Sequence, residues 1–130
     1  MAVESSCMPC HYVIDKERKL ILTTGEGIVT FAELKLHQDQ LLADANLNAT
    51  FDQLVDFATV TKVDVSVEEA KLLARRAVLS PESRRAVIAT EKSVFGMFRL
   101  AQAYHEMTEG HSHLGVFYDR AEALRWLGNK

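Results

Sequence analysis

The chain has 130 residues, a length that suits one domain and can bury a core without disulfide staples. Hydrophobic residues make up 48% and charged residues 25%, the balance of an ordinary globular protein rather than a disordered one. A formal net charge of −3 lacks the Lys and Arg surplus that displaces counterions from nucleic acid, and no apolar run reaches the roughly 20 residues of a membrane-spanning helix.

Residues 1–10 read as a flexible lead-in and residues 11–130 as a single domain. The lead-in has neither a basic start nor an apolar signal core, so secretion is not expected. Its cysteines, Cys7 and Cys10, would close only a tiny loop, and a reducing, cytoplasmic compartment is the expectation. Cys7, Cys10 and His11 also match the short pattern of covalent haem attachment. The match is physically poor, because no export signal precedes it and His11 opens a strand. A thioredoxin-like reading fails for a related reason: that chemistry needs the first Cys at a helix N-terminus. No cofactor is expected.

The β-prone runs at residues 11–14 and 19–24, separated by four polar residues, predict an antiparallel hairpin. Gly25 and Gly27 are expected to end the second strand. Thr30 and Glu33 form a capping box that opens a helix over residues 30–43. Phe31, Leu34, Leu41 and Leu42 give that helix an apolar face, with Gln38 as its weak point. A strand follows at residues 52–58, then a connection over residues 59–64. Ser66 and Glu69 form a second capping box, opening a helix to about residue 79 with Val67, Ala70, Leu73, Ala74, Ala77 and Val78 inward. Ser80 and Pro81 stop it. The run Ala86, Val87, Ile88, Ala89 is apolar throughout, as in a parallel strand covered on both faces. Ser93 is expected to cap the next helix, which Gly110 ends. Residues 114–118 are the last strand, and Asp119 caps a short final helix that buries Ala123, Leu124, Trp126 and Leu127. The fold class is α/β: a mixed, mostly parallel sheet of about five strands with about four helices, in four successive βα units.

In such sheets ligands bind beyond the carboxyl ends of the strands. That edge collects Gly25 to Gly27, Asp56 to Thr61, Thr90 to Gly96, and Tyr118 with Asp119, and Asp56, Thr59, Thr61, Ser93, Phe95, Gly96 and Arg99 are the candidate ligand-binding residues. The helix after Ser93 points free amides outward, a geometry that suits an anion, with Arg99 less than two turns in. That helix is apolar on most sides, and Phe95 is the residue expected to be exposed. Asp56 could serve as a base, but no His, Lys or Ser accompanies it in sequence. His111 and His113, with His105, do not amount to a metal site, which needs three or four converging ligands.

Several core runs carry a resemblance to a known family. They are Tyr12 to Ile14, Leu20 to Leu22 with Gly25, Phe51 with Leu54 to Phe57, Arg85 to Ala89 with Phe95 to Met97, and Val116 to Asp119 with Glu122 to Leu127. On these residues the chain resembles the SpoIIAA-like family, relatives of the STAS domain of anti-sigma-factor antagonists, and is similar to CRAL-TRIO lipid-binding domains. The resemblance covers nearly the whole chain and implies a mixed sheet flanked by four helices. STAS switches carry an Asp-Ser-Ser/Thr-Gly segment after the equivalent central strand, with a phosphorylated Ser. This chain keeps Asp56 but has no Ser-Gly pair, which leaves Thr59, Thr61 and Ser66 as candidate phosphorylation sites. The expected function is a non-enzymatic regulatory or binding module acting through a protein partner, a homodimer or a small ligand. The alternative is a small carrier of an apolar or anionic, lipid-like ligand.

Overall fold

The structure is a computed structural model that describes residues 10–76, 78–107 and 113–128. The described residues form one mixed sheet in the order β1-β2-β3-β4-β5. β1 (Cys10–Asp15) runs antiparallel to β2 (Leu20–Thr30), and β3 (Asp52–Asp64), β4 (Arg84–Ala89) and β5 (His113–Phe117) continue parallel to β2. Helices α1 (Phe31–Ala43), α2 (Val67–Arg75), α3 (Lys92–Met107) and α4 (Arg120–Trp126) follow β2 to β5 in turn. The four expected βα units are therefore present.

Side chains alternate across the sheet, so each face has its own core. Val55, Phe57, Val87, Ala89 and Leu114 face one way, against Leu34 of α1 and Val94, Phe98 and Ala101 of α3. Leu20, Leu54, Ala86 and Ile88 face the other, against Ala123, Leu124 and Leu127 at the α4 end. A third cluster, Ile21, Leu41, Phe51, Val78 and Leu79, closes the far end of α1. Residues 86–89 are buried throughout, which is why that strand shows no polar alternation.

Both capping boxes form. The Thr30 hydroxyl accepts from the Glu33 amide and the Glu33 carboxylate accepts from the Thr30 amide at 2.8 Å. Ser66 and Glu69 repeat the arrangement at the start of α2. Each box satisfies two helix-end amides locally, and so depends on little else in the fold.

The larger departures from expectation concern lengths and faces. β2 does not end at Gly25, and β3 absorbs the expected connection over residues 59–64. The two strands stay paired to Thr30 and Asp64 by way of two irregularities in register, one at Thr24/Glu26 and one at Gly27/Ile28. Gly27 takes φ +65° there, a left-handed conformation that a glycine adopts without strain. Gly25 serves packing: a Cβ built on it would lie 2.4 Å from the Phe57 ring. The glycines thus bend the strand without ending it. In α1, Leu42 points outward and His37 joins Leu41 on the buried face. Gln38, the apparent flaw in that face, donates to the Leu73 carbonyl at the end of α2 at 3.1 Å, and Arg76 reaches Asp39 and the Lys35 carbonyl. These bonds tie α1 to α2. The second helix stops at Arg75, short of residue 79, and Val78 and Leu79 leave it to fill the third cluster. Val67, expected inward, is exposed at the helix start; Ala77 and Gly110 lie outside the described residues.

The Phe57 ring is 1% exposed and cannot swing clear of a new methyl group. Gly25→Ala is expected to lower unfolding stability by about 1–3 kcal/mol, the usual cost of overpacking, read as a lower urea midpoint with an unchanged slope.

Candidate functional site

The carboxyl ends of β4 and β5, the stretch of β3 beside them and the first turns of α3 and α4 meet at one edge. Asp56 lies within β3, where its pairing with β4 ends, with one carboxylate oxygen accepting from the Ala58 amide at 3.1 Å and the other from Arg120 at 3.1 Å. Across the edge Thr90 donates to the Ala58 carbonyl at 2.7 Å, which fixes the exit of β4 against β3. The Phe95 ring lies flat on Tyr118, with centroids 4.0 Å apart and planes 2° apart. Tyr118 immediately precedes Asp119, the N-cap of α4, so a local helix start sets the direction in which Tyr118 and Arg120 project. The Asp56–Arg120 pair is partly exposed and contributes at most about 1 kcal/mol. Its evident effect is to hold a cation over β3 where the pairing with β4 ends.

Of the candidates drawn from the sequence, Asp56, Phe95 and the first turns of α3 come together here, joined by Tyr118 and Arg120. The others are placed differently. Ser93 does not cap α3; it sits in the first turn, and its amide and hydroxyl both donate to the Glu91 carboxylate, at 2.7 and 2.6 Å. Those hydrogen bonds hold the Glu91 carboxyl below the usual carboxylate range, the hydroxyl bond first. The anion expected at this helix start is thus supplied by the chain itself. Phe95 is half-buried beneath Tyr118, and the large exposed apolar residues of α3 are Leu100 and Met107 instead. Gly96 and Arg99 are exposed one turn apart. Thr59 donates to the Gly25 carbonyl at 3.3 Å, Ser66 is engaged as the cap of α2, and Thr61 is exposed on the paired extension of β2 and β3.

A second polar group lies inside the molecule, where sequence reading placed none. The Arg85 Nε donates to the Gln53 Oε1 at 2.7 Å, and the Gln53 Nε2 donates to the Thr23 hydroxyl at 2.8 Å. The Thr23 oxygen in turn lies 3.1 Å from the His37 Nε2. Thr23 accepts from Gln53 and can either donate to the imidazole or accept from it, according to which of Nε2 and Nδ1 carries the proton. That Nδ1 is buried without a hydrogen-bond partner among the described residues. Burial, with the Arg85 charge second, pushes the His37 pKa down to about 4. Burial brings Arg85 down to about 10, which leaves it charged at neutral pH. The signal for this row was available in the strand pattern. Arg85 shares its parity with Val87 and Ala89, so it had to face inward with them.

Cys10 is a free, buried thiol, pushed up to about 11 by burial and then by the nearby Glu33 charge. A redox or haem-linking thiol needs the opposite shift. Cys7 and His111 lie outside the described residues. Among the described residues no three His, Cys, Asp or Glu side chains converge as a metal site, and no helix is long and apolar enough to cross a membrane.

The sign of the His37 effect on stability follows from its lowered pKa. Above about pH 6.5 the imidazole is neutral in both the folded and the unfolded chain, and stability is complete. Between pH 6.5 and about 4 only the unfolded chain takes the proton, so stability falls as pH falls; below that range the loss is complete. The separation corresponds to about 3 kcal/mol. His37→Gln should remove roughly that much of the fall between pH 7 and pH 4, seen as a flatter curve than wild type in urea titrations at stepped pH. For Cys10, alkylation at pH 8 in a Cys7→Ser background should run about 100-fold slower than for a free thiol, and reach the free rate in denaturant.

No family model and no curated protein matches the chain. A solved structure does: an uncharacterised protein of the DUF3478 family, with a SpoIIAA-like fold, from Shewanella loihica PV-4. The TM-score is 0.57 and the identity 18%, over 91% of each chain. With the strand order and the four βα units described above, the protein has a SpoIIAA-like fold.

Proposed function

We propose that the protein is a non-enzymatic regulatory or binding module that works in the cytoplasm, through protein contacts or a small ligand at the carboxyl edge of the sheet. The observation that carries this reading is the Phe95–Tyr118 stack beside the Asp56–Arg120 pair. Tyr118 is 57% exposed although it is large and largely apolar, and its neighbour Arg120 is held in place by Asp56. An exposed aromatic on a firm backing, beside a positioned arginine, is the composition of a contact hot spot. The backing matters, because a ring already immobilised loses little entropy when a partner covers it. Asp56 itself is engaged at both oxygens, which suits presentation of Arg120 better than proton transfer. The SpoIIAA-like fold is compatible with such a role, and the free buried Cys10 suits a reducing compartment.

The test compares wild type with Tyr118→Ala and Arg120→Ala, both exposed positions outside the core. Partners captured by wild type should be depleted at least about fivefold by each variant, the scale of losing about 1 kcal/mol of binding. For a small ligand, native mass spectrometry of wild type should show an added mass that both variants lose. Equal retention of partners and of added mass by all three proteins would remove this edge from consideration.

A further inference from the structure

The outward face of α3 lies opposite its buried face, where Val94, Phe98 and Ala101 meet the sheet. Along it run Gly96, Leu100, Ala103 and Met107, all exposed, at alternating spacings of four and three residues. That is the spacing of a helix-pairing seam. Leu100 is 70% and Met107 86% exposed, the two most exposed large apolar side chains among the described residues. Gly96 has no evident internal role: a Cβ built there would meet nothing within 4 Å. A mid-helix glycine costs about 1 kcal/mol relative to alanine, and nothing within the described chain requires it. On the flank of the seam sit Arg99 and Glu106, two helical turns apart, both exposed and neither with an ion-pair partner within the described chain.

We infer that this face binds a second copy of the chain, α3 against α3 in antiparallel orientation about a two-fold axis. The argument is self-complementarity. The seam positions are symmetric about the midpoint between Ala101 and Gln102. Gly96 lies as far before that midpoint as Met107 lies after it, and Leu100 as far before as Ala103 after. In an antiparallel pair each large residue of one copy therefore meets a small residue of the other. Met107 enters the space left by Gly96 of the second copy, and Leu100 packs over its Ala103. The flanks agree in sign. Antiparallel pairing brings like flanks together, so each Arg99 faces Glu106 of the second copy and two opposite-charge contacts form. A parallel pair would set Met107 beside Met107 and Gly96 beside Gly96, and would turn Arg99 and Glu106 away from each other. An unrelated partner would not require the small and large positions to mirror each other within one helix. A two-fold contact, in which one patch must fit itself, does require it.

The α3 helix has 16 residues and spans about 24 Å, so one helix pair makes a small interface. The dimer is accordingly reversible, with Kd on the order of micromolar. The surface is separate from the Tyr118 edge, and its test does not depend on that reading.

Sedimentation velocity from about 1 μM to about 1 mM should show wild type passing from monomer to dimer. Leu100→Lys and Gly96→Leu should each raise Kd at least about tenfold while circular dichroism shows a folded protein, since both positions face open space. Arg99→Glu alone and Glu106→Arg alone should each weaken the dimer about three- to tenfold, and the double variant should return to within about threefold of wild type. A wild-type protein monomeric across the whole range would overturn the inference. So would a dimer unaffected by Leu100→Lys, or a charge reversal that the double variant fails to rescue.

Discussion

The fold depends on one close contact at the middle of the sheet. The Phe57 ring occupies the space that a side chain on Gly25 would need, and it meets Phe98 of α3 edge-on at 5.8 Å. One buried ring therefore joins β2, β3 and the longest helix. A fully buried phenylalanine is worth about 1.5–3 kcal/mol in transfer alone, and here it also sets distances. Because Gly25 admits the ring, β2 can lie close to β3 and stay paired beyond it. Because Phe98 rests on the ring, α3 is held over the sheet with one side down and the opposite side in solvent. Both surfaces proposed to bind are consequences of that orientation. The first turn of α3 carries Phe95 to Tyr118, and the outer face carries Leu100 and Met107 away from the core.

The interior is not uniformly apolar. Arg85, Gln53, Thr23 and His37 form a hydrogen-bonded row running from a cation to a neutral imidazole. Burial of such groups is tolerable only where each is bonded, and the row meets that condition except at the His37 Nδ1. The row also specifies geometry. A slip of one residue in the pairing of β3 with β4 would turn Gln53 or Arg85 onto the opposite face, against Leu54 and Ala86, where no partner for it exists. The carboxyl edge uses charge in another way. Asp56 and Arg120 meet in solvent, where the pair adds little stability and mainly positions the arginine.

Features that depend on neighbours in sequence were legible before the structure. Thr30 with Glu33, Ser66 with Glu69, and Asp119 each mark a helix start that forms as read, because a cap uses only residues within one turn. The apolar run at residues 86–89 declared a strand covered on both faces, and the alternation of strands with helices declared the α/β class. Part of the candidate edge was legible too, since it follows from where β4 and β5 end: Asp56 and Phe95 do lie beside those ends, although β3 itself runs on to Asp64. Tyr118 was read at this edge as well, but its stack on Phe95 and the pairing of Arg120 with Asp56 were not, because these partners join from far along the chain. Ser93 was misplaced by two residues, as a carboxylate one residue before α3 competes for the amides that a serine cap would take.

The amino-acid sequence by itself determined the order of the elements, their capped beginnings and the inward parity of each strand, all properties of a few consecutive residues. Only the tertiary structure decided how far β2 and β3 continue, which helix faces meet solvent, and which polar groups find one another inside. Those outcomes rest on contacts such as Gly25 with Phe57, Thr23 with Gln53 and Asp56 with Arg120, whose members are remote in sequence and are brought together only by the packing of the whole sheet. Phe95 shows the division most plainly: helical spacing made it a surface residue, and a tyrosine arriving from β5 covered it.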